Sequence, residues 1–173
     1  MKNINNQSEF SELIRPILAN EYFMKTQSTI HHGIKKLNHS IKVAYYSYRI
    51  AKFLNYDYVS VARAGLLHDF FMSKCNGKSI SKEAFSLTYK HHNIALRNAK
   101  SHFKLNKLEK DIIVKHMFPI VPKLPKYKES YLVAFVDKII GSIEGLGKLR
   151  KLINYKILSE VVPGFIITVS LLK

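Results

Sequence analysis

The stretch Ala64-Gly65-Leu66-Leu67-His68-Asp69 decides the fold. It closes a segment in which Val59, Val61, Ala62, Leu66 and Leu67 recur at helical spacing, and it sets a histidine and a carboxylate directly behind that apolar run. Asn55-Tyr56-Asp57 ahead of it reads as a turn, with Asp57 placed to cap the helix. A carboxylate on a strongly apolar face costs on the order of several kcal/mol unless it is paired or coordinated. Asp137 repeats the conflict, interrupting Val133-Ala134-Phe135-Val136 before Ile139-Ile140. Two such acids call for a cation or for strong donors.

Outward from this stretch the pattern stays helical. Phe10, Leu13, Ile14, Ile17 and Leu18 predict a short helix over 9–18, with Pro16 near its start or kinking it. Ile41, Tyr45, Tyr48, Ala51 and Phe53 predict a long amphipathic helix from Asn38. Beyond the His68-Asp69 doublet, 75–79 reads as a loop and Ser81 as a cap, before Ala84, Leu87, His91, Ile94, Ala95, Asn98, Ala99 and His102 resume the spacing. Asn106 with Glu109 forms a capping-box pattern ahead of Leu108, Ile112, Ile113 and His116. Pro119, Pro122 and Pro125 predict an extended connector at a pocket rim. A helix over 130–143 follows, with Gly141, Gly145 and Gly147 as loosening or termination points, then another over 149–158. Val161 to Leu172 reads as a docked extension or an oligomer contact. The expectation is an all-α, single-domain bundle of six or seven helices: an N-terminal helical extension over 1–30, a core over 31–145, and a C-terminal helix and apolar tail over 146–173.

The composition bounds the function. At 173 residues and 47% apolar content the chain suits one folded domain, not a disordered segment or a large machine. Its one cysteine, Cys75, excludes an intramolecular disulfide, and with no leader-like or membrane-spanning apolar run the expectation is a cytoplasmic protein without membrane insertion. The formal charge of +16 attracts anions. Lysines outnumber arginines 23 to 5 and are scattered, which favours steering of a small phosphorylated substrate over bidentate reading of nucleic acid. Nonspecific nucleic-acid contact remains a secondary reading, and the chain is expected as a monomer or homodimer.

Four helix-borne histidines, His39, His68, His91 and His116, join Asp69 and Asp137 as a nitrogen and oxygen donor set. Such a set suits Fe, Mn, Co, Ni or Zn and needs no thiolate. A carboxylate can bridge, so Asp69 can serve two ions about 3.5 to 4 Å apart, with activated water as the nucleophile. On spacing alone, separate polar contacts inside a helical protein remain the alternative.

The ordered set His39, His68-Asp69, His91, His116 and Asp137 resembles the HD-domain metal-dependent phosphohydrolase superfamily, most nearly its small single-domain bacterial members. The segments carrying the likeness are 37–40, 64–69, 115–117 and 136–138, within residues 30 to 145. The resemblance implies one ion on His39, His68, Asp69 and Asp137, and a second on His91 and His116 with Asp69 bridging. It implies Asp69 and His68 as the catalytic doublet and two divalent or first-row ions, Mg included. His92 competes with His91, which is preferred because Ile94 and Ala95 follow it in the familiar pattern. The expected activity is hydrolysis of a small phosphate ester, nucleotide-like, as mono- or diester. The alternatives are a basic nucleotide- or nucleic-acid-binding module with a degenerate site and, behind it, a diiron oxygenase. The Gly-Tyr-Pro signature of cyclic-dinucleotide phosphodiesterases is absent.

Substrate-binding candidates outside the metal set are His31, His32, Arg63, His92 and Lys138. His31 and His32 are placed to protonate a leaving group or to contact phosphate. Phe70, Phe71 and Phe118 are candidates for stacking on a base, although core packing is the commoner use of such rings.

Overall fold

The computed structural model describes residues 2–27, 30–31, 34–72 and 82–147, with side chains over 6–26, 36–72 and 89–147. Its elements are α1 (Lys2–Leu18), α2 (Glu21–Gln27), β1 (Ile30–His31), β2 (Ile34–Lys35), α3 (Lys36–Phe53), α4 (Tyr58–Leu67), α5 (Lys82–His102) and α6 (Lys107–Lys115). Helical backbone also covers 128–147. Contacts divide the chain into Met1–Ile140 and Gly141–Lys173, so the part in the first unit, 128–140, is called α7 here. The fold is all-helical, and among the described residues extended structure amounts to a two-residue antiparallel pair, Ile30 with Lys35 and His31 with Ile34.

Local chemistry explains the helix boundaries. Asp57 caps α4, its Oδ1 accepting from the Ser60 amide at 3.0 Å. Asn106 and Glu109 close the expected capping box on α6, at 2.7 and 2.8 Å. These two helix starts are tied together, because Asn106 Nδ2 donates to Ser60 Oγ at 2.7 Å. Arg63 joins the same network, donating from Nε to Glu109 Oε1 at 2.6 Å and from Nη2 to the Lys104 carbonyl at 3.2 Å.

Two helical expectations change. α1 begins at Lys2, well ahead of Glu9, and Pro16 lies in its last turn instead of near its start. The polar residues that begin α1 carry no apolar period to signal a helix, and a late proline forfeits one hydrogen bond close to where the ladder ends anyway. The helical backbone over 128–147 also continues past Gly141 and Gly145. Glycine in a helix costs about 1 kcal/mol relative to alanine, a penalty neighbouring good helix formers absorb. The expected helix over 149–158, the tail Val161–Leu172, the loop 75–79 and the cap at Ser81 lie outside the described residues.

The core draws on Phe10, Ile14 and Ile17 of α1, Val43, Ala44, Tyr48 and Ala51 of α3, Val61, Leu66 and Leu67 of α4, Ile112 and Ile113 of α6 and Val133 and Val136 of α7. Residues 1–30 therefore contribute directly to it. α3 and α4 approach most closely at Gly65, where an added Cβ would stand 3.0 Å from the Ala44 Cα. Gly65→Ala gains helix propensity but pushes on backbone, and overpacking of about 1–3 kcal/mol outweighs it. We expect a net loss of about 1 kcal/mol in chemical denaturation; an unchanged or raised midpoint would show that α3 yields without cost.

Candidate metal centre

Every residue of the expected donor set has a structural reason for its position. His39 lies in the first turns of α3, His91 on α5 and Asp137 on α7. His68 and His116 occupy the same place on two different helices, the C-cap, with φ −58° and ψ −33° and −24° respectively. In each, Nδ1 contacts the carbonyl three residues back: Gly65 O at 2.7 Å and Ile113 O at 2.8 Å. A carbonyl only accepts, so both Nδ1 atoms carry the proton and both Nε2 atoms of the neutral rings present a lone pair.

The Nε2 atoms converge on two carboxylates. His39 Nε2 lies 3.0 Å from Asp137 Oδ1, and His68 Nε2 lies 3.6 Å from that oxygen and 3.7 Å from Asp69 Oδ2. Asp69 turns its other oxygen, Oδ1, toward His91 Nε2 at 3.3 Å and His116 Nε2 at 3.8 Å. His91 Nε2 and His116 Nε2 are 3.0 Å apart. His39, His68 and Asp137 form one group able to hold an ion, and His68, Asp69 and His116 another, their ligand atoms within 4.8 Å of one another.

These residues fit a bound cation. His68 Nε2 is buried, has no hydrogen-bond partner, and aims a lone pair at two acidic oxygens too distant for hydrogen bonds. Acceptors facing acceptors are favourable only around positive charge. Ligand atoms roughly 2.0–2.2 Å from one first-row ion stand about 3 to 4 Å apart, as these do. Protonation states agree. Burial pushes the His68 and His116 imidazolium ions down, leaving the rings neutral. Burial favours the neutral acid at Asp69, but the His91 side chain and the Lys36 ammonium hold its carboxyl well below the usual range. At Asp137 the His39 hydrogen bond and the Lys138 ammonium likewise overcome burial. Neutral imidazole beside ionised carboxylate is the state in which these side chains ligate metal.

The remaining candidates separate. His91, not His92, joins the cluster; His92 is buried beside it, its ring centroid 6.2 Å from that of His91, its pKa brought down to about 4 by burial. Lys138 is at the centre, but its ammonium is engaged with Asp137 Oδ2 at 2.8 Å and the His116 carbonyl at 2.9 Å. Arg63 is not brought to the cluster; its Nε and Nη2 bond Glu109 and the Lys104 carbonyl instead. The His31 side chain and all of His32 lie outside the described residues. Phe70 and Phe71 are buried, so neither offers an open face for a base.

Lys36 belongs to this site although the doublet and its histidines gave no pointer to it. It is 3% exposed, and burial brings its pKa down to about 8 against the opposing pull of Asp69. Its one sequence signal is position: three residues before His39 it shares that residue's face of α3.

The chain belongs to the HD domain family, whose model matches residues 37–141 and thus spans every donor from His39 to Asp137. That family consists mostly of metal-dependent hydrolases, phosphohydrolases in particular. No curated protein and no solved structure matches this chain. Among the described residues no helix is long and apolar enough to cross a membrane.

A first-row divalent ion is expected to raise the thermal midpoint relative to protein in chelator, since a ligand at 100 times its Kd adds about 2.7 kcal/mol. His68→Ala is expected to remove most of that shift. A parent whose melting curve ignores Mn, Zn and Co alike would show that protons, not ions, satisfy these donors.

Proposed function

We propose that the protein is a metal-dependent hydrolase of a small, nucleotide-like phosphate ester, working through two ions that Asp69 bridges. The observation supporting this reading is the division of labour at Asp69, whose Oδ2 faces His68 while Oδ1 faces His91 and His116. His39, His68, Asp69 and Asp137 would hold the first ion, and Asp69, His91 and His116 the second. When bound, the ions supply Lewis acidity at the phosphoryl group and lower the pKa of the attacking water. The chain does the rest. The carbonyls of Gly65 and Ile113 fix the tautomers of His68 and His116, and Lys138 holds Asp137 through Oδ2, keeping Oδ1 toward His39 and His68. The net charge of +16 favours approach of an anionic substrate.

Metal content of gently purified, chelator-free protein tests the reading directly. The parent is expected to hold two ions, His91→Ala one, and His39→Ala to lose the first. Under the retained metal, release of phosphate from a panel of nucleotides and simple phosphate esters is expected to fall by at least on the order of 100-fold in Asp69→Asn. Correctly folded parent that binds metal yet turns over no phosphate ester would move the protein to the ligand-binding reading, as would salt-dependent capture of polynucleotide without phosphate release.

A further inference from the structure

Lys36 is an ammonium withdrawn from water beside a site built for cations, an arrangement that needs a reason. Its Nζ donates to the Phe71 carbonyl at 2.6 Å and stands 3.5 Å from the centroid of the Phe71 ring. One residue thus takes both the hydrogen bond and the cation–π contact. Phe71 lies two positions beyond Asp69, and its amide turns back to the Asp69 carbonyl at 2.8 Å. The other side of the relation is His91, whose ring centroid is 4.9 Å from that of Phe71 at an interplanar angle of 31°. A contact path therefore runs from α3 through Phe71 to His91 on α5.

We propose that Lys36 is a positioning residue for the Asp69, His91 and His116 half of the centre: it clamps Phe71, and Phe71 orients both the turn after Asp69 and the ring of His91. The proposal rests on the two-ion reading above. The segment it holds has left α4, which ends at Leu67, so its carbonyls lack the next helical turn. Side chains from two helices supply the missing donors: Asn98 of α5 donates to the Phe70 carbonyl at 2.8 Å and Lys36 of α3 to that of Phe71. The other half of the centre has separate anchors. His68 is fixed by Gly65, and Asp137 by His39 and Lys138. Asp69 faces both halves but His91 only the second, so loss of Lys36 should fall more heavily on the second ion.

A competing role predicts the opposite sign. A lysine serving merely as counter-charge to Asp69 would repel the ions, so removing it would tighten both. Titration of the full-length chain with Co(II), followed by visible absorbance and by bound-metal stoichiometry, distinguishes the two. In Lys36→Met the second ion is expected to weaken 10- to 100-fold, the range seen when a supporting partner of a metal ligand is lost, and the first, which keeps His39, His68 and Asp137, to weaken much less. Lys36→Arg, which can still donate to the carbonyl and cover the ring, is expected to restore most of the second ion's affinity. Phe71→Leu, which keeps the carbonyl and removes the ring, is expected to reproduce the selective loss and serves if Lys36→Met does not fold. A second ion bound as tightly as in the parent, or more tightly, in Lys36→Met or Phe71→Leu overturns the proposal, as does equal loss of both ions. A parent that takes up fewer than two ions overturns the two-ion reading and this assignment together; two ions in the parent with unaltered variants overturn the role of Lys36 alone.

Discussion

The close approach of α3 and α4 at Ala44 and Gly65 is the contact on which the site depends. α3 carries His39 and Lys36, and α4 delivers His68 and Asp69. A side chain at position 65 would meet the backbone of α3, so only glycine lets the two helices come this near without displacement. The same residue's carbonyl receives the Nδ1 proton of His68. Gly65 thus sets both the spacing between two helices that carry candidate donors and the tautomer of the histidine at the end of one of them.

A second constraint brings in α6. Asn106 and Ser60 tie the starts of α6 and α4 together, and the helices have nine and ten residues, or about 14 and 15 Å at 1.5 Å per residue. Helices that begin together and are equally long end together. Their C-caps are His68 and His116, with ring centroids 4.9 Å apart. An insertion of one residue in either helix would move its histidine along the axis and rotate it by roughly 100°. The network at the far end of these helices, Arg63 included, therefore acts on the site without touching it.

Much of this is legible in the sequence because the relevant signals are local. Asp57, and Asn106 with Glu109, announce their helices through side chains that bond their own first turns, and a carboxylate behind Leu66-Leu67 is a conflict visible without a structure. What is not legible depends on partners distant in the chain. Arg63 and Lys138 read as substrate-binding candidates near the doublet and the late aspartate, yet each is drawn to partners within the fold, Glu109 and Lys104 for the one and Asp137 and His116 for the other. Phe71 reads as a stacking ring until Lys36, 35 positions earlier, is seen over it. The choice between His91 and His92 is likewise tertiary: adjacent residues on a helix point about 100° apart, and the packing of α5 decides which faces Asp69.

The site gathers ionisable side chains away from water. Two carboxylates are held ionised in an interior that burial alone would make them leave, and buried imidazoles are held neutral with lone pairs turned toward them. Lys36 and Lys138 answer part of that negative charge from the edge, each fixed to a backbone carbonyl. Neither fills the space between His68 Nε2 and the oxygens of Asp69 and Asp137. A protein selected for stability alone would exchange such a cluster for apolar side chains, since buried charge is weak support for a fold. At the meeting point of α3, α4, α5, α6 and α7 the contacts of His68 and His116 with the Gly65 and Ile113 carbonyls keep their Nε2 lone pairs aimed inward.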